Sequence, residues 1–397
     1  MTADKIGFVR TLSGSDEYSC GNQSENILHP SRRPKCVEPS GILPFPGGCV
    51  RIAPVGGGRF LDACRRRATD VRPVWFMRQA GRYLKPYRDI RSKHGILEMC
   101  KTPELAAAVT LQPVEILDVD AAVIFADLLL PVEPMGLKLE FISGEGPCIH
   151  NAITEPEDID ALSTEHTDDL SYVAESIQLV NRTLAGRVPV IGFVGAPFTL
   201  ASYMIEGGPS KTFLKTKRLM YSNETMWRRL MGKLVDVLGD FAGLQVGGGA
   251  RAIQVFDSWV GALGPDDYVH YVQPYSRALI ERIRATGVPV IHFGTGTSGF
   301  IRELHAAGGD VIGVDWRVNI DQAWMDIGYR SAVQGNLDPI ALFAPLSTLR
   351  TKVMDLLRRT GTRPGHIINL GHGILPETPV ENVKAVVQIV REFQTQR

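Results

Sequence analysis

Two arginines flanking three small or neutral residues give this sequence its first chemical signal. In Arg78-Gln79-Ala80-Gly81-Arg82 the small members let a backbone come close to a ligand. Guanidinium forks match carboxylates through paired hydrogen bonds and stay charged at any working pH. The segment reads as an anion clamp, and Lys85, Arg88 and Arg91 extend its basic character. A solvated basic helix face is the plainer alternative. Asp127 lies between the apolar stretches 121–126 and 128–130. A carboxylate there is poorly hydrated and needs a partner, either ligand N–H groups or an arginine. His372, bracketed by Gly371 and Gly373, has room for close ligand approach, or is a core histidine. Tyr203 and Ser258 join these residues on position alone.

The residues just named follow apolar runs that read as buried strands. The runs are 73–77, 121–125, 190–194, 252–256, 290–293, 311–314, 331–334 and 366–370. Most are near-continuous rather than alternating, as in parallel strands covered by helices. Between them lie helix signals. Thr102-Pro103-Glu104 supplies an N-cap, a first-turn proline and an acid at the positive end of the dipole, ahead of a helix to Leu117 that contains Pro113. Pro265-Asp266-Asp267 and Thr378-Pro379-Val380-Glu381 open two more, the last with Val383, Val386, Val387 and Val390 on one face. Eight strands alternating with helices predict a single (β/α)8 TIM barrel, an α/β fold whose chemistry sits at the C-terminal strand ends. A doubly wound open sheet is the runner-up, but it would want a G-x-G-x-x-G turn where Arg78-Gln79-Ala80-Gly81-Arg82 stands.

Composition narrows the function. The 397 residues carry 43 basic and 43 acidic side chains, so an anion site must be local and no general nucleic-acid surface is expected. The six cysteines include no CxxC pair, which disfavours a disulfide scaffold or a zinc site. No apolar run reaches the ~20 residues that span a bilayer. Residues 1–55 are rich in Gly, Pro and Ser without sustained periodicity and read as a disordered extension, with the catalytic domain over 56–397. Their acids, including Asp4, Asp16 and Glu17, argue against a transit peptide, so the cytoplasm is expected before a plastid. No lysine ends a strand run, which disfavours Schiff-base chemistry, and no G-x-S-x-G elbow is present. What the rim offers is acid–base and electrostatic catalysis without a metal or cofactor.

At these residues the sequence closely resembles the uroporphyrinogen decarboxylase family. The resemblance rests on seven stretches in register from about residue 59 onward: 75–83, 125–129, 195–203, 255–259, 313–316, 334–339 and 369–374. It implies a (β/α)8 barrel that forms a homodimer with facing clefts. It implies conversion of uroporphyrinogen III to coproporphyrinogen III, in heme and tetrapyrrole biosynthesis, by loss of four acetate carboxyls as carbon dioxide. No cofactor or metal is implied. Asp127 would face the pyrrole N–H groups, and Arg78 and Arg82 would hold substrate carboxylates. Arg78, or water held by it, would relay the proton. Tyr203, Ser258 and His372 would contact carboxylates or position the ring, and Gln79, Ala80 and Gly81 would lie in the binding segment. Two rivals stand beside this: a corrinoid- or thiol-dependent methyltransferase of a related barrel, and a non-catalytic porphyrin-binding protein. The first would want a His-x-Cys zinc element, whereas Cys64, Cys100 and Cys148 lie away from the strand ends. The second would be expected to lack Arg78 or Asp127.

Overall fold

The parallel runs assemble as the sequence predicts, and the computed structural model describes them within residues 58–142 and 144–395. The expected extension, residues 1–55, lies outside the described residues. Seven strands form one parallel sheet in chain order: β1 (Ala122–Val123), β4 (Val190–Gly195), β5 (Ala252–Asp257), β6 (Val290–Gly294), β7 (Val311–Gly313), β8 (Ala332–Gln334) and β9 (His366–Ile367). The sheet curls until its two ends meet at Val74. This residue bridges Ile368 in parallel, and its carbonyl accepts the Asp120 N–H at 2.8 Å.

The eighth strand position is therefore a single bridge instead of the expected run over 73–77. Side chains explain the shortening, because they take the place of the ladder. The Val74 N–H donates to Asp120 Oδ2 at 2.7 Å, the Phe76 N–H to Gln79 Oε1 at 3.0 Å and the Met77 N–H to Asn369 Oδ1 at 3.0 Å. Buried backbone donors must be satisfied, but a side-chain acceptor serves as well as a neighbouring strand. At Phe125 the N–H likewise goes to Thr110 Oγ1, at 2.9 Å, beyond the end of β1.

Helices wrap the outside. The helix Pro103–Leu117 forms where expected, although Thr102 makes no side-chain capping bond. It runs through Pro113 and ends where Asp118 turns left-handed at φ 57°. The last helix, Val380–Thr395, buries Val383, Val386, Val387 and Val390. An unforeseen antiparallel hairpin, β2 (Leu139–Ile142) with β3 (Gly146–Ile149), stands apart from the sheet. Backbone bonds from Ile149 to Gly207 and from Ile153 to Met204 fasten it to the end of helix Pro197–Glu206. That helix carries Tyr203, so the hairpin braces a site element. Inside the barrel, Trp75 Nε1 donates to Gln334 Oε1 at 3.0 Å and Gln334 Nε2 to Gln254 Oε1 at 2.9 Å. Phenyl rings of Phe193, Phe256 and Phe293 meet edge to face, with centroids 5.6 and 6.0 Å apart.

Candidate active site

The turn after Val74 is fixed before any ligand arrives. Arg78 has φ 59°, a left-handed conformation that costs a side-chain-bearing residue roughly 1–2 kcal/mol. Neighbours over-determine it. The Gln79 N–H donates to Phe76 O, Asn369 Oδ1 holds Met77, and Tyr83 Oη donates to Gln79 O at 2.7 Å. Gln79 is fully buried, with its amide nitrogen given to Ala121 O at 3.0 Å. All its polar groups are engaged within the protein, so its side chain shapes the turn instead of reaching into the cleft. Ala80 packs half-buried on the core.

The basic stretch separates into two kinds of residue. Arg88 donates to the carbonyls of Arg82 and Tyr83, at 2.8 and 2.9 Å. Lys85 pairs with Asp89 at 2.7 Å, and Arg91 donates to His94 O at 2.9 Å. Arg78 and Arg82 are exposed and enter no ion pair among the described residues. Arg78 lies along Gly373: a Cβ there would come within 2.5 Å of the arginine Cδ. Only glycine at 373 leaves the guanidinium its course.

Asp127, half-buried beyond β1, accepts the Leu129 N–H at 2.9 Å. Burial raises its carboxyl above the ordinary range, while that N–H and the Arg78 charge pull it back. Tyr203 stacks on Trp259 with centroids 3.8 Å apart and planes at 29°. Burial first, then Asp127, pushes its phenol up to about 12 against the pull of Arg78, so it remains a donor at neutral pH. His372 accepts the Gly373 N–H on Nδ1 at 2.6 Å, which leaves hydrogen on Nε2. Burial, then Arg78 and Arg317, brings it down to about 4, with Asp315 opposing, so the imidazole is neutral at pH 7. One guanidinium thus acts on Asp127, Tyr203 and His372, which come from three different segments. Their joint arrangement is a cation, an anion and two neutral hydrogen-bonding groups around one mouth of the barrel.

The uroporphyrinogen decarboxylase (URO-D) family model matches residues 57–393. The chain belongs to the uroporphyrinogen decarboxylase family. It is 76% identical over 345 residues to the uroporphyrinogen decarboxylase of Solibacter usitatus (strain Ellin6076), covering 87% of this chain and all of that one. It is 52% identical to the uroporphyrinogen decarboxylase of Carboxydothermus hydrogenoformans, over 85% of this chain and 96% of that one. Among solved structures it resembles a methyltransferase from Methanosarcina mazei, with TM-score 0.71, 19% identity, and coverage of 84% of this chain and 98% of that one. At that identity the likeness shows the fold alone.

Several residues that hold this family member's site gave little sign of it in the sequence. Asn369 accepts both Met77 and Leu370 N–H groups, at 3.0 and 2.8 Å, and so joins the end of β9 to the Arg78 turn. Asp315, almost wholly buried, accepts Gly296 N–H and Arg317 Nη1, each at 2.6 Å, and ties the loops after β6 and β7. Thr199 donates to Asp257 Oδ1 at 3.2 Å and accepts the Trp259 N–H at 3.4 Å, which sets the ring on which Tyr203 stacks. Ser258 is half-buried between them, and its carbonyl accepts Thr295 Oγ1 at 2.5 Å. The available signal was that Asn369 and Asp315 each lie at the end of an apolar run, while Thr199 lies within a helix; the partners were not visible.

Among the described residues no group of three or more His, Cys, Asp or Glu is placed to hold a metal ion. No described helix is long and apolar enough to cross a membrane.

Proposed function

We propose that this chain decarboxylates uroporphyrinogen III to coproporphyrinogen III. Membership of the family supports the reaction, and the relatives named above carry that name. The observation that carries the site assignment is the convergence of Arg78, Asp127, Tyr203 and His372.

Each turn of the reaction begins with a proton added to a ring carbon of the pyrrole. The ring becomes cationic and serves as an electron sink. The bond between the acetate methylene and its carboxyl breaks, carbon dioxide leaves, and its electron pair enters the ring. Protonation of the exocyclic carbon and loss of the ring proton give a methyl group. Asp127 stabilises the cation through the pyrrole N–H groups. Its carboxylate is poorly solvated and held by one N–H, so it is preorganised for a cation and gains from its arrival. Arg78 and Arg82 hold substrate carboxylates. An arginine is a poor acid at neutral pH, so water held by Arg78 shares the role of proton donor. Tyr203, His372 and Ser258 donate to carboxylates, the edge-to-face phenyl rings offer the macrocycle an apolar surface, and Gln79, Ala80 and Gly81 shape the binding turn.

A homodimer with facing clefts belongs to the same proposal. Ile340, Phe343 and Leu346 are exposed just beyond the C-terminal end of β8, on the side of the site. The cytoplasm is the proposed compartment. Residues 56–397 are the proposed catalytic domain, with residues 1–55 outside the chemistry. The direct test is anaerobic incubation with uroporphyrinogen, oxidation, and separation of products by carboxyl number. A ladder from hepta- to tetracarboxyl species is expected; its absence at high enzyme concentration sinks the assignment.

A further inference from the structure

A cavity of about 450 Å³ opens at the other end of the barrel, beneath the N-terminal ends of β7 and β8. Its lining includes Arg65, Arg66, Arg284, Arg330, His305 and Ser331. These come from four places in the chain: the end of helix Arg59–Cys64, the end of helix Gln273–Arg284, helix Ile301–Ala307 and the turn before β8. The size lies in the ~300–1,000 Å³ range of small-molecule sites.

Charge is what distinguishes this cavity. Four guanidiniums face one carboxylate, that of Asp310. Arg284 pairs with Asp310 Oδ1 at 3.2 Å, while Asp310 Oδ2 is taken by the Val290 N–H at 2.9 Å. Arg65, Arg66 and Arg330 enter no ion pair among the described residues. Arg66 and Arg330 are steered instead by neutral carbonyls, Tyr329 O at 3.0 Å and Ile327 O at 3.3 Å. Elsewhere on this neutral chain several surface arginines are matched with acids, such as Arg282 with Asp236 and Asp240, Arg302 with Asp326, and Arg350 with Glu392. Like charges gathered around a cavity repel one another unless an anion sits between them.

Two neutral polar side chains complete the lining. The buried Ser331 hydroxyl donates to Gly309 O at 3.0 Å, so its contact with His305 Nε2, also 3.0 Å, places the histidine hydrogen on Nε2. Burial and the Arg330 charge hold His305 below its ordinary pKa. Nδ1 then remains to accept from a protonated oxygen of a ligand.

We propose that this cavity binds a small phosphorylated molecule carrying at least two negative charges. A tetrahedral phosphoryl group accepts guanidinium forks from several directions at once, as this cavity presents them, whereas a carboxylate accepts them in one plane. The site is separate from the decarboxylase rim and does not depend on that assignment.

Titration calorimetry of the full chain with inorganic pyrophosphate at low ionic strength tests it. One equivalent is expected to bind. Arg66→Gln combined with Arg330→Gln should weaken it at least about tenfold, and Arg65→Glu, an exposed change with no effect on packing, should do the same. Arg78→Gln should leave binding intact, and the Arg66/Arg330 variant should decarboxylate normally. No binding at millimolar pyrophosphate overturns the proposal. So does binding that Arg78→Gln removes and the cavity variants keep. Citrate binding as tightly as pyrophosphate would overturn the phosphoryl assignment.

Discussion

At the carboxyl ends of the strands Arg78 stands among Asp127, Tyr203 and His372, whereas at the amino ends Arg65, Arg66 and Arg330 face one another across an open cavity. Both regions are basic, but only in the first does the field of an arginine reach a carboxyl that burial holds above its ordinary range. A cavity with an excess of basic groups can hold an anion and lower its energy uniformly. Chemistry needs groups that favour the transition state over the bound substrate. In the proposed reaction the Asp127 carboxylate supplies that difference, because the charge it would face appears only as the ring is protonated. On the proposed readings the arginines of both ends are anchors, and the aspartate separates catalysis from binding.

The largest expected effect is at the rim. Asp127→Asn retains an oxygen for the Leu129 N–H yet loses the charge, so turnover should fall at least about a hundredfold with the circular dichroism spectrum unchanged. Pyrophosphate binding at the other end should be untouched. Near-normal turnover in this variant would erase the contrast between the two ends.

Next comes the course of Arg78. Gly373→Ala places a methyl against the arginine Cδ and Cγ, and kcat/KM should drop about tenfold as the guanidinium is displaced. Adding Arg78→Ala to Gly373→Ala should then cost less than Arg78→Ala does alone. Full additivity of the two changes would show that Gly373 acts by some other route.

Between the two ends sits His366, buried at the start of β9 with Thr360 Oγ1 at 2.9 Å and Gly335 O at 3.0 Å. Burial, aided by Arg72, lowers it from 6.5 to about 3. The unfolded chain therefore binds this proton more readily than the folded one, and stability rises with pH over that interval. Stability should be lower at pH 5 than at pH 7 by about 2 kcal/mol from this group. Urea unfolding at the two pH values measures the difference, and His366→Asn should remove most of it. An unchanged pH slope in that variant would show that His366 is not the group responsible.

The smallest effect is expected from residues 1–55. Removal of residues 1–55 should leave kcat within about twofold. A large loss, read by the same product assay, would bring the extension into the site.

Much of this architecture was legible in the chain. The apolar runs at 190–194, 252–256 and 290–293 became β4, β5 and β6 almost to the residue, because a strand buried on both faces has no room for polar alternation. The run at 73–77 promised a longer strand than formed, since Asp120, Gln79 and Asn369 took the backbone donors of Val74, Phe76 and Met77; the run at 366–370 formed a strand over His366–Ile367 alone. The hairpin of β2 and β3 went unread because its sequence has neither a two-residue turn signal nor a clear alternation.

By itself the sequence determined the barrel class, the family, and the identity of the residues at the rim, because strand texture and short motifs are local properties of the chain. Tertiary structure decided which of those residues are free to act. Gln79 turned inward and Arg88 was spent on carbonyls, while Arg78 and Arg82 were left without ionic partners among the described residues. It also gathered Arg65, Arg66 and Arg330 at the opposite mouth from segments more than 250 residues apart. The physical reason is that satisfaction of a polar group is a pairwise event in space. Met77 and Asn369, separated by 292 positions, meet within 3.0 Å, and nothing in either local sequence announces the other.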